Sequence, residues 1–292
     1  MGVGLGNIRP LRLRVPTQGV DLTISRDHVT FHRLSPSPAP ARLITAEGAR
    51  DILPAFYERI RASTPGLLGR STAWWEWRHF RDEEEDRDGS TAYRYATTGP
   101  IHEITGFVQY RHKESWADGH AQGEIKVNQL FGSDPESWAG LWRFVLDHDL
   151  IARVTASHRS VEDPLFDLLS ARRRARLEPS DALWVRVMDP KAALESRAYS
   201  DSARVVVGVH DPNTTENSTW RLDLSPEGAE VTRIDEAASV TMDLEDLGAC
   251  FLGWARLQAL SRAGRVAGPP SDVAALDRAF SWSPLPWCPE IF

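Results

Sequence analysis

The segment Leu183–Tyr199 constrains the fold of this chain more than any other. Its sequence, LWVRVMDPKAALESRAY, has a strand-like alternation of side chains up to Met188 and then changes at Asp189. A period of two predicts a strand at Ala182–Met188, and the proline that follows Asp189 suits the first turn of a helix, predicted at Ala192–Ala198. We therefore expect one domain to end at residue 190 and another to begin at residue 191.

A proline-rich stretch near the start of the chain predicts a second boundary. Ser35–Pro40 carries three prolines at alternate positions, and such a run continues neither a helix nor a hydrogen-bonded strand. We expect an extended linker there. Before it, the alternation at Val20, Leu22 and Ile24 predicts a strand over Gly19–Ile24. The first 40 residues are thus predicted to stand apart from residues 41–190.

The middle of the chain mixes helical and strand patterns, which predicts an α+β fold class. Helices are predicted at Ala46–Arg61, Trp74–Phe80, Pro135–Asp147 and Leu165–Leu169, and strands at Ala92–Thr97, Ile104–Arg111, Gly123–Phe131, Ile151–Ala156 and Ala182–Met188. Antiparallel strands followed by helix, strand, helix and strand resemble the GCN5-related acetyltransferase (GNAT) fold. For residues 41–190 the resemblance implies a GNAT-like mixed sheet with helices on both faces.

The last hundred residues predict a second, smaller α+β domain over residues 191–292. Strands are predicted at Arg204–Val209, Thr219–Leu224, Glu230–Ile234 and Ser239–Met242. Asp243 is expected to cap one long helix to Arg262, and Ser271 a last helix to Phe280. An antiparallel sheet backed by helices resembles the sterol carrier protein domain.

Two segments extend these resemblances to one family. VPTQGVDLTISRDHVTF begins at Val15, and the chain stops on CPEIF at Phe292. With Leu183–Tyr199, they resemble the enhanced intracellular survival (Eis) family of bacterial N-acetyltransferases over almost the whole chain. Members of that family begin with a complete acetyl-CoA-binding GNAT domain. Residues 1–40 are therefore interpreted as the remnant of a largely missing first GNAT domain, with residues 41–190 as the second, and the chain as incomplete or mis-started.

The junction that binds coenzyme in GNAT enzymes is altered here. GNAT enzymes hold the acetyl-CoA pyrophosphate on backbone N–H groups at a [QR]xxGx[GA] turn, where small residues and the helix dipole favour an anion. The matching residues are Gln129–Asp134, followed by Pro135 and Glu136. Asp134 puts a carboxylate in the phosphate position, Pro135 removes an N–H donor, and Glu136 adds negative charge. We predict a self-capped helix, a degenerate GNAT domain and no cofactor-binding residues.

The resemblance also implies two site residues at the C-terminus. In the Eis family the free terminal carboxylate enters the first domain as general base, which implies that role for the carboxylate of Phe292. Glu290 is predicted to help hold a cationic substrate. The alternative is an apolar tail in which Trp287, Ile291 and Phe292 pack on the core. Likewise, Trp74 and Trp77 are predicted either as core residues or as an aromatic wall for a bound amine.

Composition narrows the partners and the compartment. The chain has 34 Lys and Arg against 41 Asp and Glu, a formal net charge of -7. An acidic chain repels nucleic acid and attracts cations. Neither Cys250 nor Cys288 belongs to a ligand cluster, so we predict no metal and a reduced, cytoplasmic protein. The sequence lacks an apolar run of the roughly 18 residues that span a membrane, so no membrane partner is expected.

Two functions follow as hypotheses. The first is an Eis-like N-acetyltransferase. The resemblance implies that it transfers acetyl from acetyl-CoA to a primary amine of a polycationic small molecule such as an aminoglycoside, or to a lysine. This activity is expected to be impaired in this chain, which by itself is not expected to bind acetyl-CoA. The second is a non-catalytic ligand-binding or oligomerisation module built on the sterol carrier-like domain. The family assembles as oligomers, so a homo-oligomer is expected for either function.

Overall fold

The computed structural model describes residues 16–33 and 36–291, which divide into two compact units. The larger unit contains residues 18–182 and 287–291, and the smaller unit contains residues 16–17 and 183–286. The sequence predicted boundaries at residues 40 and 190. Along the chain, the larger unit ends at residue 182 and resumes with the C-terminal segment 287–291.

Within the described residues, the larger unit is built on a sheet of seven strands. The strands are β1 (Gln18–Ser25), β2 (Arg42–Ile44), β3 (Arg94–Thr98), β4 (Gly106–Lys113), β7 (Gly123–Gly132), β8 (Ile151–Ser160) and β9 (Ala175–Asp181), and β5 (Trp116–Ala117) and β6 (His120–Ala121) form a separate hairpin. Their order is β2-β3-β4-β7-β8-β1-β9. Only the neighbours β7 and β8 run parallel. The predicted mixed sheet is confirmed.

Strand β1 belongs to the sheet of the larger unit. The strand itself was predicted correctly, but it pairs antiparallel with β8 on one side and with β9 on the other. Val20, Leu22 and Ile24 are buried in the core of the same sheet. The strand interpreted as a remnant of a separate domain therefore completes the sheet of the larger unit, on the far side of the proline-rich linker.

Helices cover both faces of this sheet, as predicted. They are α1 (Ala46–Arg61), α2 (Thr72–Trp74) continued by a π-helical turn (Trp75–Phe80), α3 (Pro135–Leu146) and α4 (Leu165–Leu168). Adjacent strand residues point to opposite faces. Phe107 and Phe131 thus pack in the core with α1, while their neighbours Val108 and Leu130 pack in the core with α3. Because both faces are covered, the first six residues of β4 are all buried.

The proline-rich linker packs tightly against α3. Residues 36–40 form neither helix nor strand, in agreement with the predicted extended conformation. The Ala39 N–H donates to the Glu136 carbonyl at 2.9 Å. A Cβ placed on Gly140 would lie 2.1 Å from the Ala39 carbonyl oxygen, so only glycine permits this approach.

The predicted strand Ala182–Met188 is wrong. The strand of the sheet is β9, which ends at Asp181, and the residues after it have no regular structure. Val187 is buried, but Arg186 forms an ion pair with Asp211 at 2.8 Å. A Cβ on Gly248 would lie 2.5 Å from the Val185 carbonyl oxygen. The alternating pattern therefore reflects side chains packed against a helix and paired by charge, without a strand ladder.

The smaller unit combines a five-stranded sheet with four helices, counted over the described residues. Its elements are α5 (Pro190–Glu195), β10 (Ala203–Asp211), β11 (Glu216–Ser225), β12 (Gly228–Arg233), β13 (Val240–Asp243), α6 (Leu244–Phe251), α7 (Leu257–Arg262), β14 (Val266–Ala267) and α8 (Pro270–Phe280). The order is β12-β11-β10-β13-β14. Neighbours are antiparallel except β10 and β13, which are parallel. The predicted sheet backed by helices is present with this one departure.

The single long helix predicted from Asp243 to Arg262 is two helices. Gly253 lies between α6 and α7 with φ +86, a conformation that ends helices and favours glycine. A Cβ there would lie 2.9 Å from the Trp282 Cβ. Neither predicted cap forms a side-chain cap. Asp243 instead pairs with His210 Nδ1 at 3.1 Å, and α8 begins at Pro270 with Ser271 inside it.

The close approach at Gly140 gives a stability prediction. Gly140→Ala raises helix propensity, yet the new methyl meets the Ala39 backbone, so we expect a loss of about 1–3 kcal/mol in the free energy of unfolding. Gly48→Ala in α1 is the matched control, since its Cβ meets only Thr45 Oγ1 at 3.4 Å. Urea midpoints followed by tryptophan fluorescence measure both. Equal midpoints for the two variants would contradict the packing described here.

Candidate functional site

The junction between β7 and α3 closes on its own carboxylate. Asp134 Oδ1 accepts the Ser137 N–H at 2.7 Å, and the Asp134 carbonyl accepts the Trp138 N–H at 3.1 Å. Pro135 occupies the first turn and has no N–H to offer. The predicted self-capped helix N-terminus is confirmed. Of the N–H groups that would face an anion in a coenzyme site, that of Ser137 already has a protein acceptor, and residue 135 has none to offer.

Further contacts around this junction hold it closed. Ser133 donates its N–H to the Thr105 carbonyl at 2.8 Å, and the hydroxyls of Thr105 and Ser137 are 2.6 Å apart. A Cβ on Gly132 would lie 2.9 Å from the Trp138 ring. The glycine at the motif position therefore accommodates an indole of the protein itself.

Beside the junction, the parallel strands β7 and β8 separate. They pair from Gly123 and Ile151 to Val127 and Ala156, and beyond that point β7 continues along β4 while β8 continues along β1. Diverging strands expose backbone N–H and C=O groups, which must find other partners. An extended ligand can pair with such an edge.

The gap between β7 and β8 is occupied by the protein's own side chains. Trp287 donates its indole N–H to the His158 carbonyl at 2.7 Å, and its ring packs 4.9 Å from Phe131. Arg159 crosses the gap from β8 and donates to the Leu130 carbonyl on β7 at 2.9 Å. Backbone oxygens that a ligand would use at this edge are thus already bonded.

Arg159 is held by a buried network. Its Nη2 and Nε atoms lie 2.7 and 2.8 Å from Asp163 Oδ2, and both side chains are almost fully buried. Asp163 Oδ1 also accepts the Trp142 indole N–H at 3.0 Å. A buried charge is tolerated when its hydrogen bonds are made. Arg159 therefore has a structural role, because its charge and hydrogen bonds are used inside the protein.

Glu290 is buried in a second ion pair. Its Oε1 lies 2.7 Å from both Nε and Nη2 of Arg70, and its Oε2 accepts the Trp74 indole N–H at 3.3 Å. His79 Nε2 lies 3.5 Å from Oε1. Burial by itself would raise the pKa of Glu290, but the contact with His79 and the charge of Arg70 lower it to about 2. Glu290 is therefore a carboxylate with its counter-charge in place.

Arg70 connects Glu290 to the coenzyme motif. Its Nη1 donates to Gln129 Oε1 at 2.7 Å, and its guanidinium lies 3.8 Å from the Tyr57 ring centroid and 4.6 Å from that of Trp75. Gln129 is the first residue of the predicted motif. Its side chain accepts a hydrogen bond from Arg70 and donates one to Gln109, so these bonds lie within the larger unit.

A cavity of about 300 Å³ opens beside this ion pair, within the larger unit. We call it the basic cavity. Its lining comprises Arg70, Arg78, His79, Asp86, Arg87, Asp88, Tyr93, Arg111, Lys126, Val127, Asn128, Gln129, Ser157, His158, Pro289, Glu290 and Ile291. Five of these residues are Arg or Lys and three are Asp or Glu. The cavity is locally positive, whereas the whole chain has a formal net charge of -7.

The predicted site residues are distributed as follows. Phe292 lies outside the described residues, so the role of its carboxylate stays a prediction. Glu290 lines the basic cavity, but its pairing with Arg70 leaves it without the free charge that the predicted contact with a cationic substrate needs. Trp77 is 60% exposed and Trp74 is half-buried. Of the predicted apolar tail, Trp287 is buried and Ile291 is half exposed.

Metal and membrane features can be assessed over the described part of the chain. There, no group of three or more His, Cys, Asp or Glu side chains is placed to hold a metal ion. Both cysteines are free thiols and both are buried. Over the same residues, every helix is too short or too polar to cross a membrane.

Comparison with known protein families agrees with this geometry. The family model for the acetyltransferase (GNAT) domain matches residues 66–188, and the model for the sterol carrier protein domain matches residues 190–289. A GNAT domain is present. The prediction that the GNAT domain is largely missing is therefore corrected: residues 66–188, within the range assigned to the second domain, form a GNAT domain.

Known proteins that are similar to this chain over much of its length are named N-acetyltransferases. An uncharacterized N-acetyltransferase of Streptomyces coelicolor is 34% identical over 247 residues, which are 83% of this chain and 59% of the relative. N-acetyltransferase Eis of Mycobacterium tuberculosis is 28% identical over 267 residues, 89% of this chain and 63% of Eis. The chain spans 59–60% of the length of three Streptomyces relatives that it matches.

Solved structures give the same fold. The crystal structure of Eis1 from Mycobacterium abscessus has a TM-score of 0.79 and 27% identity, covering 100% of this chain and 72% of its own. A GCN5-related N-acetyltransferase from Anabaena variabilis has a TM-score of 0.77 and 18% identity, covering 96% of this chain and 68% of its own. At that identity the second likeness shows the fold alone. The predicted α+β class with GNAT-like and sterol carrier-like parts is confirmed.

Sequence analysis missed several buried charges that shape the site. Arg70, Arg111 and Arg159 are each at most 8% exposed, although no motif marked them. One signal was available for Arg111, which ends the predicted strand Ile104–Arg111 directly after Tyr110. A charge at such a position is rarely buried unless it is paired. Their partners, however, come from distant parts of the chain.

The Arg70–Glu290 pair gives a pH-dependent prediction. Glu290→Gln leaves a buried guanidinium unpaired, so we expect a loss of about 3–5 kcal/mol in the free energy of unfolding at neutral pH. The folded-state pKa of about 2 lies below the ordinary 4.5, so this stabilisation is present above pH 4.5 and is lost as the pH falls toward 2. The difference between wild type and variant should narrow over that interval, measured by urea midpoints.

The matched control is Glu58→Gln, which removes a carboxylate from an exposed pair with Arg61. An exposed pair contributes about 1 kcal/mol or less. Equal losses for the two variants would contradict the buried role of Glu290. So would a difference between wild type and Glu290→Gln that stays constant down to acid pH.

Proposed function

We propose that this chain takes part in Eis-type N-acetyl transfer. The reaction moves an acetyl group from acetyl-CoA to a primary amine of a polycationic small molecule such as an aminoglycoside, or to a lysine. The GNAT and sterol carrier domain matches and the likeness to Eis proteins support this proposal. The amine acceptor and the activity of the whole protein are part of the proposal, because the chain spans only part of its relatives' length.

Within this proposal, the GNAT domain at residues 66–188 supports other parts of the protein and does not bind coenzyme at its own closed junction. The observation that carries this is the hydrogen bond from the Ser137 N–H to Asp134. A pyrophosphate would have to displace that cap, worth about 1 kcal/mol. It would also meet the carboxylates of Asp134 and Glu136, and like charges about 4 Å apart repel by about 1–4 kcal/mol near a protein surface.

The filled gap between β7 and β8 supports the same division of roles. Trp287 and Arg159 would both have to leave their backbone acceptors before a coenzyme could lie along the strand edge. The Phe292 carboxylate is proposed as general base for a GNAT domain that holds acetyl-CoA, because a terminal carboxylate can take a proton from the attacking amine. Assembly as a homo-oligomer and a cytoplasmic location complete the proposal.

The closed junction also favours a second candidate function. Here both parts serve as a non-catalytic binding or oligomerisation module. The two candidates differ in one readout, the release of free thiol from acetyl-CoA. The native protein purified from its source cells, assayed with an aminoglycoside, is expected to release thiol only when the amine is present. Absence of thiol release, together with uptake of a fluorescent lipid, would favour the module.

Calorimetric titration with acetyl-CoA tests the closed junction directly. The 292-residue chain should give no binding heat at micromolar concentrations, while N-acetyltransferase Eis of Mycobacterium tuberculosis serves as the positive control. Asp134→Gly combined with Pro135→Ala restores N–H donors but leaves Trp287 in the gap, so it should recover at most weak, millimolar binding. Micromolar binding by the unaltered chain would overturn the proposal.

A further inference from the structure

The basic cavity contains more positive charge than its acidic neighbours neutralise. Its lining has five Arg or Lys residues against three Asp or Glu residues. The ion-pair partners outside the lining, Asp82, Lys113 and Arg81, do not reduce this excess of positive charge. Positive walls around a concave space raise the local concentration of anions.

Asp82 is shared between two guanidinium groups. Its Oδ1 lies 2.9 Å from Arg111 Nη2 and 3.0 Å from Arg87 Nε, while its Oδ2 accepts the Tyr93 N–H at 2.6 Å. One carboxylate carries one negative charge. Two arginines that share it therefore leave one positive charge uncompensated beside the cavity.

Asp88 is shared in the same way by two ammonium groups. Lys113 Nζ and Lys126 Nζ lie 3.0 and 3.1 Å from its Oδ2. Lys126 also stands directly opposite Arg111 in the β4–β7 pair. Like charges at directly opposed positions of a sheet destabilise it. An anion between them would relieve this repulsion.

Arg111 shows where that anion would bind. The residue is only 7% exposed, its guanidinium lies 3.9 Å from the Tyr93 ring centroid, and it lines the cavity. Among the described residues, its buried Nε and Nη1 atoms have no hydrogen-bond acceptor. His158 Nδ1, on the same lining, is also buried without a partner. Buried donors are costly when unpaired, so an acceptor that reached them after a small shift of the side chain would be stabilised.

We propose that the basic cavity binds a small oxyanion, a phosphate or carboxylate group of a small molecule. Arg111 would turn its Nε or Nη1 toward the anion by a small shift of the side chain, and Lys126, its cross-strand neighbour, would supply a second positive charge. Arg70 is excluded from this role because Glu290 and Gln129 already accept its hydrogen bonds. The volume of about 300 Å³ suits a small metabolite.

The test titrates inorganic phosphate and succinate separately into the 292-residue chain, by calorimetry in a low-salt buffer without other oxyanions. Binding of at least one probe is expected with a Kd on the order of 0.1–1 mM. The two arms show whether phosphate or carboxylate is preferred. Arg111→Gln should raise the Kd about tenfold or more, since charge-assisted hydrogen bonds are lost.

Two further variants separate binding from folding and from general charge. Lys126→Gln changes a partly exposed side chain and should raise the Kd about threefold while the protein keeps a single cooperative thermal transition. Arg176→Gln removes an exposed charge of the same unit that does not line the cavity, and should leave the Kd unchanged. The proposal fails if neither probe binds the unaltered chain, if Lys126→Gln has no effect, or if Arg176→Gln weakens binding as much as Lys126→Gln.

Discussion

The buried ion pair between Arg70 and Glu290 is the constraint on which the site depends. It joins residues 220 positions apart and makes the C-terminal segment part of the larger unit. Once Glu290 is fixed, Trp287 is held three residues before it, against Phe131 and the His158 carbonyl. Because a buried pair is stable only when both partners are present, the segment and the sheet stabilise each other.

This constraint explains how a GNAT domain can keep its fold while the residues at its coenzyme-binding positions form contacts within the protein instead. Gln129 binds Arg70, Gly132 accommodates Trp138, and Asp134 caps α3. The separation of β7 and β8 is retained, but Arg159 and Trp287 bond to its backbone oxygens. These groups have partners inside the protein, so the fold and the binding function are separable properties.

Local signals made part of this structure predictable. Thr45 and Asp134 cap α1 and α3 as expected, because a cap depends on residues three apart in sequence. The strand β1 was found from its alternation, but its place between β8 and β9 depends on pairing with residues more than 120 positions away. The irregular segment after Asp181 alternates like a strand without a ladder. The pairing of Glu290 with Arg70 is equally long-range, so the sequence suggested a free carboxylate there.

Comparison of two buried arginines shows how pairing decides function in this unit. Arg70 faces one carboxylate of its own, the amide of Gln129 and two aromatic rings, so its charge and donors are matched. Arg111 shares Asp82 with Arg87 and retains buried donors that lack an acceptor within the described chain. A matched arginine holds the sheet and the C-terminal segment together. An incompletely matched one, beside a cavity, has the capacity to bind an anion from outside.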